Sequence, residues 1–186
     1  MTTTFHIRLA VQVLRAGGVI AYPTEGVWGL GCDPQNAHAV QRILKLKQRD
    51  PAKGLILVGG ELQHFEPYLD HLAAGQVDRL RATWPGPVTW LVPANGVASS
   101  WITGRHPGLA LRVSAHPQLA DLCRAFGGPI VSTSANPSGR PAALSALRVR
   151  RYFPEGLDYI LNGPLGGRRG PSAIRDLMTD KVLRAG

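Results

Sequence analysis

Short apolar runs cut off by glycine or proline constrain this chain more than any other feature. Val19-Ile20-Ala21-Tyr22 ends at Pro23, Leu55-Ile56-Leu57-Val58 runs into Gly59-Gly60, and Val88-Thr89-Trp90-Leu91-Val92 follows Pro85-Gly86-Pro87. Residues 109–113 and 129–132 have the same character, and all five runs read as strands. Helical periodicity lies between them. Ile7, Ala10, Val11 and Leu14 form one stripe after a Thr4 cap, stopped by Gly17-Gly18. Ala37, Val40, Ile43 and Leu44 form a second, with Lys45 and Lys47 in the last turn, where cations suit the helix dipole. Further helices are expected after Gly60 as far as Trp84, over 118–126 and over 143–152, with short strands at 159–161, 173–175 and 182–183. Residues 24–31 read as a glycine-spaced loop. The 22 glycines and 15 prolines are spread through the chain, with no linker, repeat or low-complexity tract. The expectation is one α/β domain over residues 1–186, built on a twisted mixed sheet with flanking helices, because the connections are too irregular for a regular βαβ series.

Charge points to a polyanion. Lys and Arg number 21 against 12 Asp and Glu, a net charge of +9. That surplus suits nucleic acid or phosphate-bearing ligands, and equally a generally basic solvated surface. Cys32 and Cys123 lie far apart, no Cys-x-x-Cys occurs and the six histidines lack His-x-x-x-His spacing, so neither a disulfide framework nor a metal site is expected. The first six residues have no basic, apolar leader pattern, and no run approaches the ~20 apolar residues that span a bilayer. A soluble, cytoplasmic chain with no membrane partner is expected.

The standard nucleotide loops are missing. There is no Gly-x-x-x-x-Gly-Lys-Ser/Thr, Gly29-Leu30-Gly31 lacks the third glycine of a dinucleotide fingerprint, and Gly-x-Ser-x-Gly is absent. Phosphate recognition has another candidate. Lys47, Arg49 and Lys53 lie within seven positions, and Pro51 stops the helix so that Arg49 and Lys53 fall on a loop. This is either an anion clamp, with Lys47 and Arg49 exposed, or an ordinary helix end. Ser132-Thr133-Ser134-Ala135-Asn136-Pro137-Ser138 offers four hydroxyls and an amide at a strand end, fit for phosphate or ribose oxygens or for bonding its own backbone. Thr24 and Glu25 repeat the theme after the first strand, where Thr24 suits a small polar substrate. Arg112 interrupts the apolar strand Leu109-Ala110-Leu111-Arg112-Val113 and requires an anion, either a structural acid or a substrate carboxylate.

Five segments together resemble the YrdC/Sua5 family of threonylcarbamoyl-AMP synthases. They are residues 23–33 (PTEGVWGLGCD), Lys47-x-Arg49 with Lys53, residues 84–89 (WPGPVT), residues 109–113 (LALRV) and residues 132–136 (STSAN), in the family's order. Long members carry a further C-terminal domain, so the resemblance is to the short bacterial form. Gly54 stands where many long members have proline. The resemblance implies a basic concave cleft and a nucleotidyltransferase that makes threonylcarbamoyl adenylate and pyrophosphate from ATP, L-threonine and bicarbonate, for the t6A modification of tRNA at A37. It further implies catalysis by Lys47, Arg49 and Lys53, ATP binding by these with Ser134, Asn136 and Ser138, and threonine binding by Thr24, Arg112 and Ser132. Mg2+ is expected to arrive with ATP. The implied partners are tRNA or double-stranded RNA and a downstream threonylcarbamoyl transferase complex. The alternative is a non-catalytic RNA-binding protein of the same fold. Polar groups gathered at strand ends favour a small-molecule pocket over a spread basic face.

Overall fold

Residues 4–168 and 170–186 are described by a computed structural model. Helix α1 (Thr4–Arg15) buries Ile7, Ala10, Val11 and Leu14, the stripe that its periodicity marks. It ends at Gly17, whose φ of 78° only glycine adopts readily. There the amides of Gly17 and Gly18 donate to the carbonyls of Leu14 and Val13.

Strands β1 (Ile20–Pro23) and β2 (Trp28–Gly31) form an antiparallel hairpin, so the expected loop over 24–31 is half strand. The glycines there answer to close packing. A Cβ on Gly29 would lie 3.0 Å from the Tyr22 ring, and one on Gly31 would lie 2.5 Å from the Val131 carbonyl oxygen. Helix α2 (Ala37–Lys47) is capped by the Asn36 side chain, which accepts from the Ala39 amide, and it closes on Gln48 in a left-handed conformation. A 3₁₀ turn (Pro51–Lys53) leads to β3 (Ile56–Gly59).

The helical stretch expected between Gly60 and Trp84 is broken into a 3₁₀ turn (Leu62–Phe65), α3 (Glu66–Leu69) and α4 (Ala74–Arg81). Pro67 opens the second piece, and the anchors Phe65, Tyr68, Leu69 and Leu80 all reach the same core cluster across these breaks. Then come β4 (Val88–Pro93), the unexpected single turn α5 (Ser100–Thr103), β5 (Gly108–Val113), α6 (Pro117–Phe126) and β6 (Ile130–Ser134). Helix α7 (Ala146–Tyr152) starts later than its composition suggests. Ala143 is committed to backbone bonds with Trp28 and Ala135, and Ser145 caps the helix by accepting from the Arg148 amide. Strands β7 (Tyr159–Ile160), β8 (Ala173–Asp176) and β9 (Val182–Arg184) complete the chain.

Among the described residues the strands form one mixed sheet in the order β7-β1-β2-β6-β3-β5-β4-β8-β9. Side chains alternate between its faces. Leu57 and Leu111 join the layer containing Trp90, Phe65 and Ile43, while Val58 and Ile130 join the layer under α1 and α6. That second face is only partly covered. Ser132, Ile56, Ala110 and Leu91 lie in register across β6, β3, β5 and β4, on the same face as Val58 and Ile130 but one pleat further along. This uncovered row is the floor of a cleft.

Leu57 is fully buried at the centre of the sheet. Leu57→Ala is expected to cost about 3 kcal/mol and to lower Tm by roughly 10 °C, measured by thermal unfolding.

Candidate active site

The cleft encloses about 550 Å³. Above its floor stand the β1–β2 turn with Thr24 and Glu25, the end of β6 with Ser134 and Asn136, the Arg49–Gly54 loop, and the C-terminal segment with Arg168, Ser172 and Arg184. Among the described residues, five cations line it (Arg49, Lys53, Arg112, Arg168 and Arg184) against one acid, Glu25.

That acid is already engaged. Glu25 Oε2 lies 3.2 Å from Arg112 Nη2, with both side chains below a tenth exposed. Its Oε1 accepts from Ser114 Oγ at 2.8 Å and from the Ala115 amide at 2.9 Å. Burial by itself would raise this carboxyl, but Arg112 and the Ser114 and Ala115 donors outweigh it and hold the group below the ordinary range. Arg112 therefore has the structural acid that its position demands, and it still lines the cleft. A guanidinium carries five donor hydrogens, so one carboxylate oxygen leaves donors for a second anion. Ser132 shares the cleft with it, and Thr24 stands opposite with its hydroxyl donating to the Val27 carbonyl at 2.7 Å, which leaves its lone pairs as acceptors.

Arg49 and Lys53 both face the cleft. Arg49 is fixed from behind, since its Nε and Nη2 donate to the Gly54 carbonyl at 3.2 and 2.9 Å. Gly54 has a φ of 59°, a conformation that proline cannot adopt. Lys47 departs from expectation. Only 3% exposed, it does not line the cleft but lies behind it, and its ammonium donates to the carbonyls of Ser134 and Asn136. The reason is helical phase, which turns the last residue of α2 inward with Ile43 and Leu44. Burial, and then the charge of Arg49, brings the Lys47 ammonium down to about 8.

Ser134 and Asn136 line the cleft as expected, and Asn136 leaves its buried Oδ1 without a hydrogen-bond partner. Ser138 does not line it. Its side chain is exposed, and its amide donates to the Lys47 carbonyl. The residues that sequence reasoning missed are Arg168, Ser172, Arg184 and His106. The one signal for them was arginine within weakly patterned, glycine-rich chain. Arg184 donates to the Ser172 carbonyl at 2.7 Å, and partial desolvation, followed by the nearby Arg49 and Arg112 charges, lowers its pKa. No group of three or more His, Cys, Asp or Glu gathers among the described residues to hold a metal, and no helix is long and apolar enough to cross a membrane.

Fold and cleft define an α/β protein with a basic, polar concavity on the uncovered part of its sheet face. Residues 12–186 match the family model described as "telomere recombination", Sua5/YciO/YrdC, and the chain belongs to that family. A threonylcarbamoyl-AMP synthase of Cellvibrio japonicus is 57% identical over 179 residues, covering 96% of this chain and 95% of the relative. One from Pseudomonas entomophila is 52% identical over 186 residues, the whole of both chains. Among solved structures, P. abyssi Sua5 complexed with L-threonine superposes with a TM-score of 0.87 at 31% identity over 95% of this chain, which spans about half (52%) of that one. E. coli YciO gives 0.86 at 25% identity, covering 99% and 90%.

Two substitutions test the site. Arg49→Ala is expected to leave the melting curve near wild type and to lower adenylate formation about a hundredfold, the scale of one lost charge-stabilising donor. Arg112→Lys is expected to raise the threonine KM far more than the ATP KM, because lysine keeps the charge and loses the planar fork, and to lower Tm through its weaker grip on Glu25. A lowered Tm with unchanged threonine KM would reduce Arg112 to a structural role.

Proposed function

We propose that this chain is a threonylcarbamoyl-AMP synthase, forming threonylcarbamoyl adenylate and pyrophosphate from ATP, L-threonine and bicarbonate. One observation carries this reading: a buried arginine flanked by hydroxyls, suited to an amino-acid carboxylate, shares a cleft with four further cations and a Ser-x-Asn strand end, suited to a nucleoside triphosphate. The naming of full-length relatives as threonylcarbamoyl-AMP synthases supports the same activity.

Arg112 holds the threonine carboxylate, with Thr24 and Ser132 around the rest of the amino acid. The threonine amine adds to bicarbonate-derived CO2 and releases a proton to solvent. The carbamate oxygen then attacks the α-phosphorus of ATP, and pyrophosphate leaves. Arg49 and Lys53, joined by Arg168 and Arg184, neutralise the phosphates and the charge gathering on the leaving group. Ser134 and Asn136 hold nucleotide oxygens. Mg2+ enters as part of the nucleotide substrate, carried by phosphate oxygens and water, because the single acid of the cleft is bound to Arg112. The reaction runs in the cytoplasm, and its product passes to a threonylcarbamoyl transferase complex acting on A37 of tRNA.

Pyrophosphate release from ATP is expected to require L-threonine and bicarbonate together. Release independent of threonine would overturn this reading. So would an inactive chain that binds double-stranded RNA, which is the outcome required by a non-catalytic RNA-binding role.

A further inference from the structure

We propose that Lys47 is a positioning residue: its buried ammonium clamps the backbone of the 134–136 wall from behind, so that the side chains of Ser134 and Asn136 are presented to the nucleotide. The inference rests on assigning that wall to ATP.

Three bonds join Lys47 to this one segment. Its Nζ donates to the Ser134 carbonyl and, at 2.7 Å, to the Asn136 carbonyl. Its own carbonyl accepts from the Ser138 amide at 2.7 Å. Side chain and backbone thus grip both ends of the polar loop. The loop is further tightened by the Asn136 amide donating to the Ser134 carbonyl, and by Asn136 Nδ2 donating to the Arg140 carbonyl at 2.7 Å. The carbonyls of residues 134 and 136 are spent on Lys47, while the same two residues line the cleft.

Two of the three ammonium donors are therefore occupied by main-chain oxygens on the side of the wall away from the ligand. The third donor remains, but Lys47 does not line the cleft, so a phosphate contact would need the ammonium to shift from its place behind the wall. Burying an ammonium is costly unless fixed acceptors meet it, and the two carbonyls supply that compensation only in the geometry observed. Arg49 is placed differently. Gln48 adopts φ 50° and ends the helix, so the chain turns outward and the guanidinium of the next residue lines the cleft. The Lys-x-Arg spacing divides the work: lysine braces the wall and arginine meets the ligand.

The test combines a crystal structure of the wild-type chain with a non-hydrolysable ATP analogue and steady-state kinetics of Lys47→Met, which keeps length and removes the charge. The expected structure has Nζ still on the Ser134 and Asn136 carbonyls and beyond hydrogen-bond reach of every phosphate oxygen. Lys47→Met is expected to raise the ATP KM about tenfold or more, with kcat down less than about threefold and the threonine KM unchanged, the pattern of lost ground-state positioning. Nζ on a phosphate oxygen, or a kcat loss of about a hundredfold at unchanged ATP KM, would overturn the brace and leave the synthase reading standing. An analogue bound away from the 134–136 wall would overturn the brace together with the nucleotide assignment. The wild-type structure decides the matter even if Lys47→Met does not fold.

Discussion

The buried Glu25–Arg112 pair sets the geometry of the cleft. Glu25 belongs to the turn between β1 and β2, and Arg112 to β5, with β6 and β3 lying between them in the sheet. Closing the pair folds the turn across two strands and brings Thr24 to the same cleft as Ser132. The turn then organises a third wall. The Gly166 amide donates to the Thr24 carbonyl and the Arg168 amide to the Glu25 carbonyl, which bring Arg168 to the rim. Gly26 admits this approach because a Cβ there would lie 2.0 Å from the Gly170 carbonyl oxygen. Removing one member of such a pair leaves an uncompensated buried charge, typically about 3–5 kcal/mol.

Around this anchor the cations have unequal roles, and burial decides which is which. Lys47 is enclosed and satisfied by carbonyls. Arg49 is half-fixed, braced by the Gly54 carbonyl but open to the cleft. Lys53 and Arg168 line the cleft with no salt bridge among the described residues. Like charges gathered in a concave, partly desolvated space repel one another and attract anions. Electrostatics here favours a multiply charged ligand over a single carboxylate.

Much of this was legible in the sequence. The apolar runs around Leu57, Trp90 and Leu111 are strands because burial on both faces tolerates little else, and α1 and α2 follow from their stripes. Thr24, Arg112, Ser132, Ser134, Asn136, Arg49 and Lys53 converge on one cleft because each sits on the uncovered face of a strand, at a strand end or on a loop that the strands deliver. The failures have a common cause, which is tertiary contact. Gly29 and Gly31 look like loop residues until the Tyr22 ring is laid over them, and the helical stretch after Gly60 keeps Phe65, Tyr68 and Leu80 in one core cluster although it is broken into three pieces. Lys47 looked exposed because charged helix ends usually are, and no sequence pattern announces two carbonyls arriving from residues 134 and 136. Arg184 was missed because β9 has only three residues and carries little periodicity.

The same reasoning separates the two meanings of a basic composition. A net charge of +9 spread over a convex surface would describe a polyelectrolyte partner and little else. Here, among the described residues, five cations are drawn into one concavity beside hydroxyls and an amide, at the edge of a sheet face that α1 and α6 leave bare. Nucleic-acid backbones offer evenly spaced phosphates to an extended surface, whereas this cleft concentrates its charge within about 550 Å³, the volume class of small-molecule sites. Enclosure also strengthens each interaction, because the walls exclude the water that would screen it. The arrangement therefore suits chemistry in which charge moves between phosphorus and a leaving group more than it suits holding a polymer in place.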